Sequence, residues 1–392
     1  MSKPHGILVR NYDRRAFLRQ MGIMAAAVGS GATLLGACGN GSNGGNDPTT
    51  ANGTAAPAIG GTINYHSWEG YDLLDATADW QQEHGIEIRS SYVGGHDDIH
   101  TRVLSPGGGD IDLITYYHGY ADRYRELNVV SPIDPGEVPN LEHLMPVFRD
   151  GEWFRNDDGN YVGIPFTWGG ICLNYRTDEV PQAPQRWTDL LEPEFEGRIA
   201  MVDDLNGNVV LAALILGYEP ERMTTGQLQE VQDLLIQFKR QAVAISPSFG
   251  DMNNLLISGE AVAAFMGWSA LNVWAAEQDV ELECVIPEEG SLTFVDAYAI
   301  PPNAPNRENA LAFINETLSL EVQVEQAEYL SAGVVREDAI DQLPDEVRGL
   351  YPYDDMDSFF EQAALYNVAP SESDEYVTYE DWTQMWQAVK AA

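Results

Sequence analysis

The stretch GTINYHSWEGYDLLDATADWQQEHGIEIRSSYV, residues 61–93, decides the fold. Thr62 to Trp68 is a short β-rich run, and Asp72 to His84 has helical character and stops at Gly85, a residue suited to a helix C-terminus. Ile86 to Val93 is β-rich again. Strand, helix and strand in this order predict a parallel α/β layer.

The alternation continues outward. It predicts a short helix around Asp98 to Leu104, a strand at Ile111 to Tyr116 and a helix near Tyr120 to Leu127. Further strands are expected at Ile171 to Tyr175 and Ile199 to Val202, then a helix at Val209 to Leu216. Leu228, Val231, Leu234, Leu235 and Phe238 mark the apolar face of the next helix, and Thr224 with Gln227 reads as its capping box. Strands at Val262 to Trp268 and Thr293 to Ile300 bracket a helix near Leu271 to Ala276, before helices at Glu308 to Leu318 and Glu321 to Leu330. Pro106 and Gly107 to Gly109 precede a strand rather than a helix, the wrong order for a phosphate cradle.

Upstream of this body, Asp13, Arg14, Arg15, Ala16, Phe17, Leu18 and Arg19 precede a weakly apolar run from Met21 to Ala37. That is the layout of a signal segment with a twin-arginine address. The run is short for a bilayer-spanning helix, which needs about 20 residues. Leu35, Gly36, Ala37 and Cys38 resemble the lipobox of prokaryotic lipoproteins, which implies cleavage before Cys38 and a lipid anchor on its thiol. Residues 39–60, of Gly, Asn, Ser, Thr, Ala and Pro, have no hydrophobic periodicity and read as a flexible tether, with acceptor triplets for glycosylation at Asn40 and Asn52.

About 330 residues follow, enough for two cores. Cys172 and Cys284 both sit in apolar runs and read as buried small hydrophobes rather than a disulfide. The net charge is -40, from 61 acidic and 21 basic residues. Such a surface repels nucleic acid and anionic lipid. The acids are spread along the whole chain, as on a halophile's solvated surface. In molar salt the screening length is about 3 Å, so recognition of a cation needs desolvated contacts.

Seven segments in order resemble the bacterial spermidine/putrescine-binding proteins of polyamine ABC importers. They are Tyr65 to Tyr71; Asp110 to Leu113 with Tyr116 and Tyr117; Ile164 to Gly169; Trp187 to Leu191 with Pro193, Phe195 and Gly197; Val202 to Asp204; Phe265 to Trp268; and Phe294 to Pro301. The resemblance covers nearly all of residues 61–335. It implies an α/β, two-lobed periplasmic-binding-protein fold of type II, each lobe a doubly wound sheet, with the ligand cleft between lobes. Residues 61–163 plus 297–340 are then expected to form lobe 1, and 164–296 plus 341–392 lobe 2, with crossovers near Ile164 to Phe166 and Asp296 to Pro301. The chain is expected to be a monomer without cofactor or catalytic residues, partnered by a membrane permease.

A polyamine is an apolar rod carrying ammonium groups, so it calls for aromatic walls along the methylenes and carboxylates at the amines. The resemblance assigns wall roles to Trp68 and Tyr71 on one side and Trp268 and Phe294 on the other. Glu69 is placed to reach an amine, and Tyr117, with Tyr120 as neighbour, falls where the family has a hydroxyl. Asp296 matches the family's amine-gripping carboxylate and Asp204 a second one, although Asp204 equally suits a helix N-cap before Val209. Asp296, isolated among Phe294, Val295, Ala297 and Tyr298, needs a partner. The family's long-polyamine binder has a further Glu where this chain has Gly207, which points to a shorter diamine or another cation.

Other classes remain open on the residues alone. His96 and His100 could share a helix face in a metal-dependent enzyme, a carboxylate pair could serve a glycosidase, and Tyr116 with Tyr117 resembles paired-tyrosine iron sites. Sugar binders also use aromatic walls. No nucleophile elbow is present.

Overall fold

The computed structural model describes residues 59–93, 95–105 and 108–392. The expected signal segment, Cys38, Asn40, Asn52 and the expected tether up to residue 58 lie outside them. Gly60 is already docked: Asn309 Nδ2 donates to its carbonyl at 2.9 Å, and its own N–H donates to Asn309 Oδ1 at 3.2 Å.

The first parallel layer is formed by β1 (Gly61–Ser67), β2 (Ile86–Tyr92) and β3 (Leu113–Tyr117), with β1 between the other two. The connecting helix α1 covers only Ala78–His84. The expected six-residue N-terminal extension is absent because Asp72 is committed elsewhere: Ser90 Oγ and Tyr92 OH donate to its carboxylate at 2.5 and 2.8 Å. Leu73 beside it takes a positive φ of 45°, which no α-helix accepts. Helices α2 (His96–Leu104) and α3 (Ala121–Glu126) follow.

β4 (Ile164–Arg176) is 13 residues long and buried on all but its last residue. Its first half pairs with β9 (Ser291–Ala299), and its second half with β7 (Ala263–Trp268) and β8 (Leu282–Val285). β5 (Ile199–Val202) pairs in parallel with β7 and with β6 (Ala242–Ser246), completing the second layer. The strand order is β2-β1-β3-β9-β4-β7-β5-β6. The expectation of parallel layers therefore needs correction at the joint, where β3–β9, β4–β9 and β4–β7 are all antiparallel. The cause is topological. β4 and β9 carry the chain between layers in opposite directions, so each meets the other and its neighbours head to tail. The result is the two-lobed α/β architecture expected from the sequence.

Helix α4 (Leu205–Ile215) is apolar but for Asn206 and Asn208 and is buried from Asn206 to Ala213, as suits a helix between layers. α5 (Thr225–Gln241) buries the five predicted apolar positions and carries the predicted capping box, Thr224 N–H donating to Gln227 Oε1 at 2.8 Å. α6 (Phe249–Ser258), α7 (Ala270–Ala276), α8 (Arg307–Thr317), α9 (Leu320–Leu330) and α10 (Met356–Gln362) complete the covering layers up to the C-terminus. There α11 (Tyr379–Ala391) is fastened to the second layer. Lys239 Nζ donates to the Lys390 carbonyl at 2.7 Å, Trp386 Nε1 donates to Asp203 at 2.8 Å, and Lys390 pairs with Asp203 at 3.0 Å.

Trp168, mid-β4, is fully buried against Phe148, Tyr351, Phe359 and Phe360, and its Nε1 donates to the Val334 carbonyl at 2.9 Å. It ties the long strand to both β10 (Gly333–Val334) and the C-terminal segment. Trp168→Ala is expected to lower the unfolding free energy by about 3–5 kcal/mol, measured by denaturant titration at fixed salt. A loss below about 1 kcal/mol would contradict its place in the core.

Candidate functional site

The predicted residues gather at the carboxyl ends of parallel strands, where open α/β sheets leave a crevice. β1 ends at Ser67 and releases Trp68 and Tyr71; β3 ends at Tyr117; β5 ends at Val202 ahead of Asp204; β7 ends at Trp268. β9 crosses between them and carries Phe294 and Asp296 two positions apart, on one face of the strand. Asp296 stands opposite Tyr117 on one side and Thr167 on the other.

Tyr71 OH donates to Asp296 Oδ2 at 2.6 Å. The carboxyl is 7% exposed. Burial pushes its pKa up to about 7, against the pull of the Tyr71 hydrogen bond, and the charge of Asp204 raises it further. Asp204 is raised too, chiefly by burial, with the Gly207 N–H opposing that rise. The Asp296 carboxyl on the crossing strand thus senses the charge of Asp204 beyond the end of β5. Asp204 also caps α4, Oδ1 accepting from Gly207 N–H at 2.7 Å. Of the two readings of Asp204 left open by the sequence, capping is therefore present in the structure.

The walls are aromatic. Trp68 is half-buried and lies edge-on to Tyr71 (centroids 6.0 Å apart) and to His96 (4.8 Å). Tyr71 in turn meets Phe166 edge-on at 5.3 Å, and Phe166 stacks on Tyr298 at 4.0 Å. Across the crevice Trp268 and Phe294 form an edge-to-face pair at 5.4 Å, with Trp274 and Phe249 behind Trp268. A Cβ at position 169 would lie 2.5 Å from Phe294 and 2.7 Å from Trp268. Gly169 is what lets both rings lie against β4.

Two predicted residues are turned to other partners. Glu69 is exposed, and its charge is felt by Tyr92 and Tyr329. Tyr120 is buried, shares a 3.1 Å hydroxyl contact with Tyr379 of α11 and stacks on His96 at 3.8 Å. Tyr117 OH donates to the Tyr366 carbonyl at 3.1 Å and lies within reach of the Asn206 side chain.

Asn206 and Met266 escaped sequence reasoning. Asn206 is buried in the first turn of α4 with Oδ1 unpartnered among the described residues; a polar residue opening an apolar helix was the available signal. Met266 has a positive φ of 62° and lays its thioether over Gly207, where a Cβ would come within 2.0 Å of its methyl. Sequence carries no sign of that.

The paired-tyrosine arrangement does not assemble. Tyr116 and Tyr117 alternate along β3, and Tyr116 is fully buried beneath Tyr124 and Phe154, so the pair does not converge on one ion. Burial, and then the charge of His100, lower His96 to about 3. Among the described residues no group of three His, Cys, Asp or Glu side chains could hold a metal ion.

Residues 75–348 match the family described as bacterial extracellular solute-binding protein. The spermidine/putrescine-binding periplasmic protein of Salmonella typhimurium is 25% identical over 295 residues, 74% of this chain and 83% of its own. The putrescine-binding periplasmic protein PotF of Escherichia coli is 23% identical over 317 residues, 75% of this chain and 84% of its own. Among solved structures, the TpPotD lipoprotein of Treponema pallidum superposes with a TM-score of 0.70 at 19% identity, covering 84% of this chain and all of that one (100%).

A raised folded-state pKa means that protonated Asp296 contributes stability below its unfolded value, near 4, which is lost as pH rises through about 7. Asp296→Asn cannot lose it. Thermal unfolding of the empty protein is expected to show the variant gaining on wild type between about pH 5 and pH 8. A constant difference would contradict the buried titration.

Proposed function

The chain belongs to the bacterial extracellular solute-binding proteins, and from that premise we propose that it captures a polyamine outside the cytoplasm and delivers it to an ABC permease. The observation that carries this reading is the buried Asp296 carboxyl, held by Tyr71 and facing Asp204 between aromatic walls. An ammonium group there replaces a proton, relieves the repulsion between the two acids and lies against ring faces. The relatives named for spermidine and putrescine support the same ligand class.

Trp68, Tyr71, Trp268 and Phe294 form the walls in this proposal, Asp296 holds one amine and Asp204 the other, and Tyr117 and Tyr120 line the end of β3. Glu69 is left to an outer contact at the rim. Met266 over Gly207 supplies an apolar stop beyond Asp204 rather than a third carboxylate, which favours a diamine of putrescine length over a triamine. Closure of lobe 1 (61–163, 297–340) on lobe 2 (164–296, 341–392) brings contacts from both sides, and these supply the differential affinity that shifts open to closed. A lipid anchor at Cys38, on the tether 39–60, keeps the loaded monomer near its permease. Solute capture, rather than catalysis, accounts for the site.

Calorimetry in molar salt tests the reading. Putrescine is expected to bind more tightly than spermidine, and Trp68→Ala and Asp296→Ala each to weaken binding by about tenfold or more. A response to sugars alone would overturn the polyamine assignment, and unchanged affinity in both variants would remove this site.

A further inference from the structure

Cys172 and Cys284 are distant in sequence but neighbours in the sheet. β4 and β8 run antiparallel with Asn174 opposite Cys284 and Leu173 opposite Val285. Cys172 and Asn174 share a face of β4, so Cys172 lies one diagonal step from Cys284 on the same face of the sheet. The side chains bear this out. The single Cys172 S–H has two acceptors within reach, Asn174 Oδ1 at 3.8 Å and the Cys284 sulfur.

The two sulfurs differ in kind. Cys172 is buried, while Cys284 is partly buried on a strand of four residues that pairs only with β4 among the described strands. Asn174 Nδ2 donates to Asn272 Oδ1 at 2.9 Å and to the Trp268 carbonyl at 3.0 Å. That fixes the Asn272 amide so that its own NH₂ is turned to Cys284. Cys284 is thus a thiol that receives two donors, first Cys172 and then Asn272, and both hold its pKa down. Burial pushes the Cys172 thiol up. A partly buried sulfur drawn toward the thiolate beside a more deeply buried thiol is the arrangement of an attacking and a resolving cysteine.

We propose that Cys172 and Cys284 form a reversible thiol–disulfide exchange site that takes a disulfide from outside the chain and closes into a cross-strand disulfide behind the Trp268 wall. The Cys284 thiolate attacks one sulfur of the external disulfide, whose other half leaves as a thiolate. Cys172 then gives up its proton and attacks the Cys284 sulfur, breaking the mixed bond and releasing the second half. The external disulfide gains two electrons and ends as two thiols, and the two protein thiols lose those electrons and their protons. The bond clamps β8 to β4 next to Asn174, the residue that holds the Trp268 backbone. None of this depends on which solute the crevice takes.

The test is oxidised glutathione added to the reduced full-length protein, followed by peptide mapping in a mass spectrometer. Wild type is expected to yield the Cys172 and Cys284 peptides joined and two hydrogens lighter, and reversible by dithiothreitol. Cys172→Ser is expected to stop at a glutathione adduct on Cys284, and Cys284→Ser to leave Cys172 unmodified. Wild type that keeps both thiols free, accumulates a stable adduct at either, or joins Cys284 to Cys38 would overturn the proposal, as would adducts of equal yield in the two variants.

Discussion

Asp296 brings a carboxyl group into a part of the molecule that can solvate it with little more than one tyrosine hydroxyl. The Tyr71 hydrogen bond, 2.6 Å long, is too little to offset burial, and Asp204 adds a second acid to the same space. A group so placed is costly in its charged form unless a cation joins it. Much of the surrounding architecture can be read as what holds that cost in place.

The scaffold does so through two long strands. β4 and β9 pair antiparallel at the joint of two parallel layers, so Asp296 is fixed by register against both β3 and β4. Trp168 pins β4 from beneath, and Gly169 beside it admits the Trp268–Phe294 pair. A crossing strand fastened on both sides cannot swing its acid out to water. Trp68 and Phe294, which flank it, are packed against neighbouring rings, which suits contact with methylenes.

Where local chemistry decides structure, the sequence was legible. The capping box at Thr224 and the strand Ile199–Val202 formed as expected, and Asp296 stood out because apolar neighbours surround it. The equivalent box at Thr378 and Asp381 was equally readable and was missed with its helix. Long-range commitments were not readable. Ser90 and Tyr92 take Asp72 and shorten α1; β8 was unforeseen, and with it the meeting of two cysteines far apart in the chain; Met266 closes over Gly207 from another strand. Glu69 and Tyr120 sit near Trp68 and Tyr117 in sequence, yet Glu69 is exposed and Tyr120 meets the C-terminal helix. Adjacency in sequence fixed neither direction, because Glu69 lies in a turn and Tyr120 ends a three-residue 3₁₀ helix too short to set a face.

The account rests on an acid kept partly protonated until a cation arrives. Carbon-13 NMR of the aspartate carboxyl groups, with Asp296 assigned through Asp296→Asn, follows that titration directly in the empty and putrescine-loaded protein. The account predicts an apparent pKa near 7 when empty and a fall of about two units or more on loading. An ordinary carboxylate titration in the empty protein, or a midpoint unmoved by ligand, would contradict it.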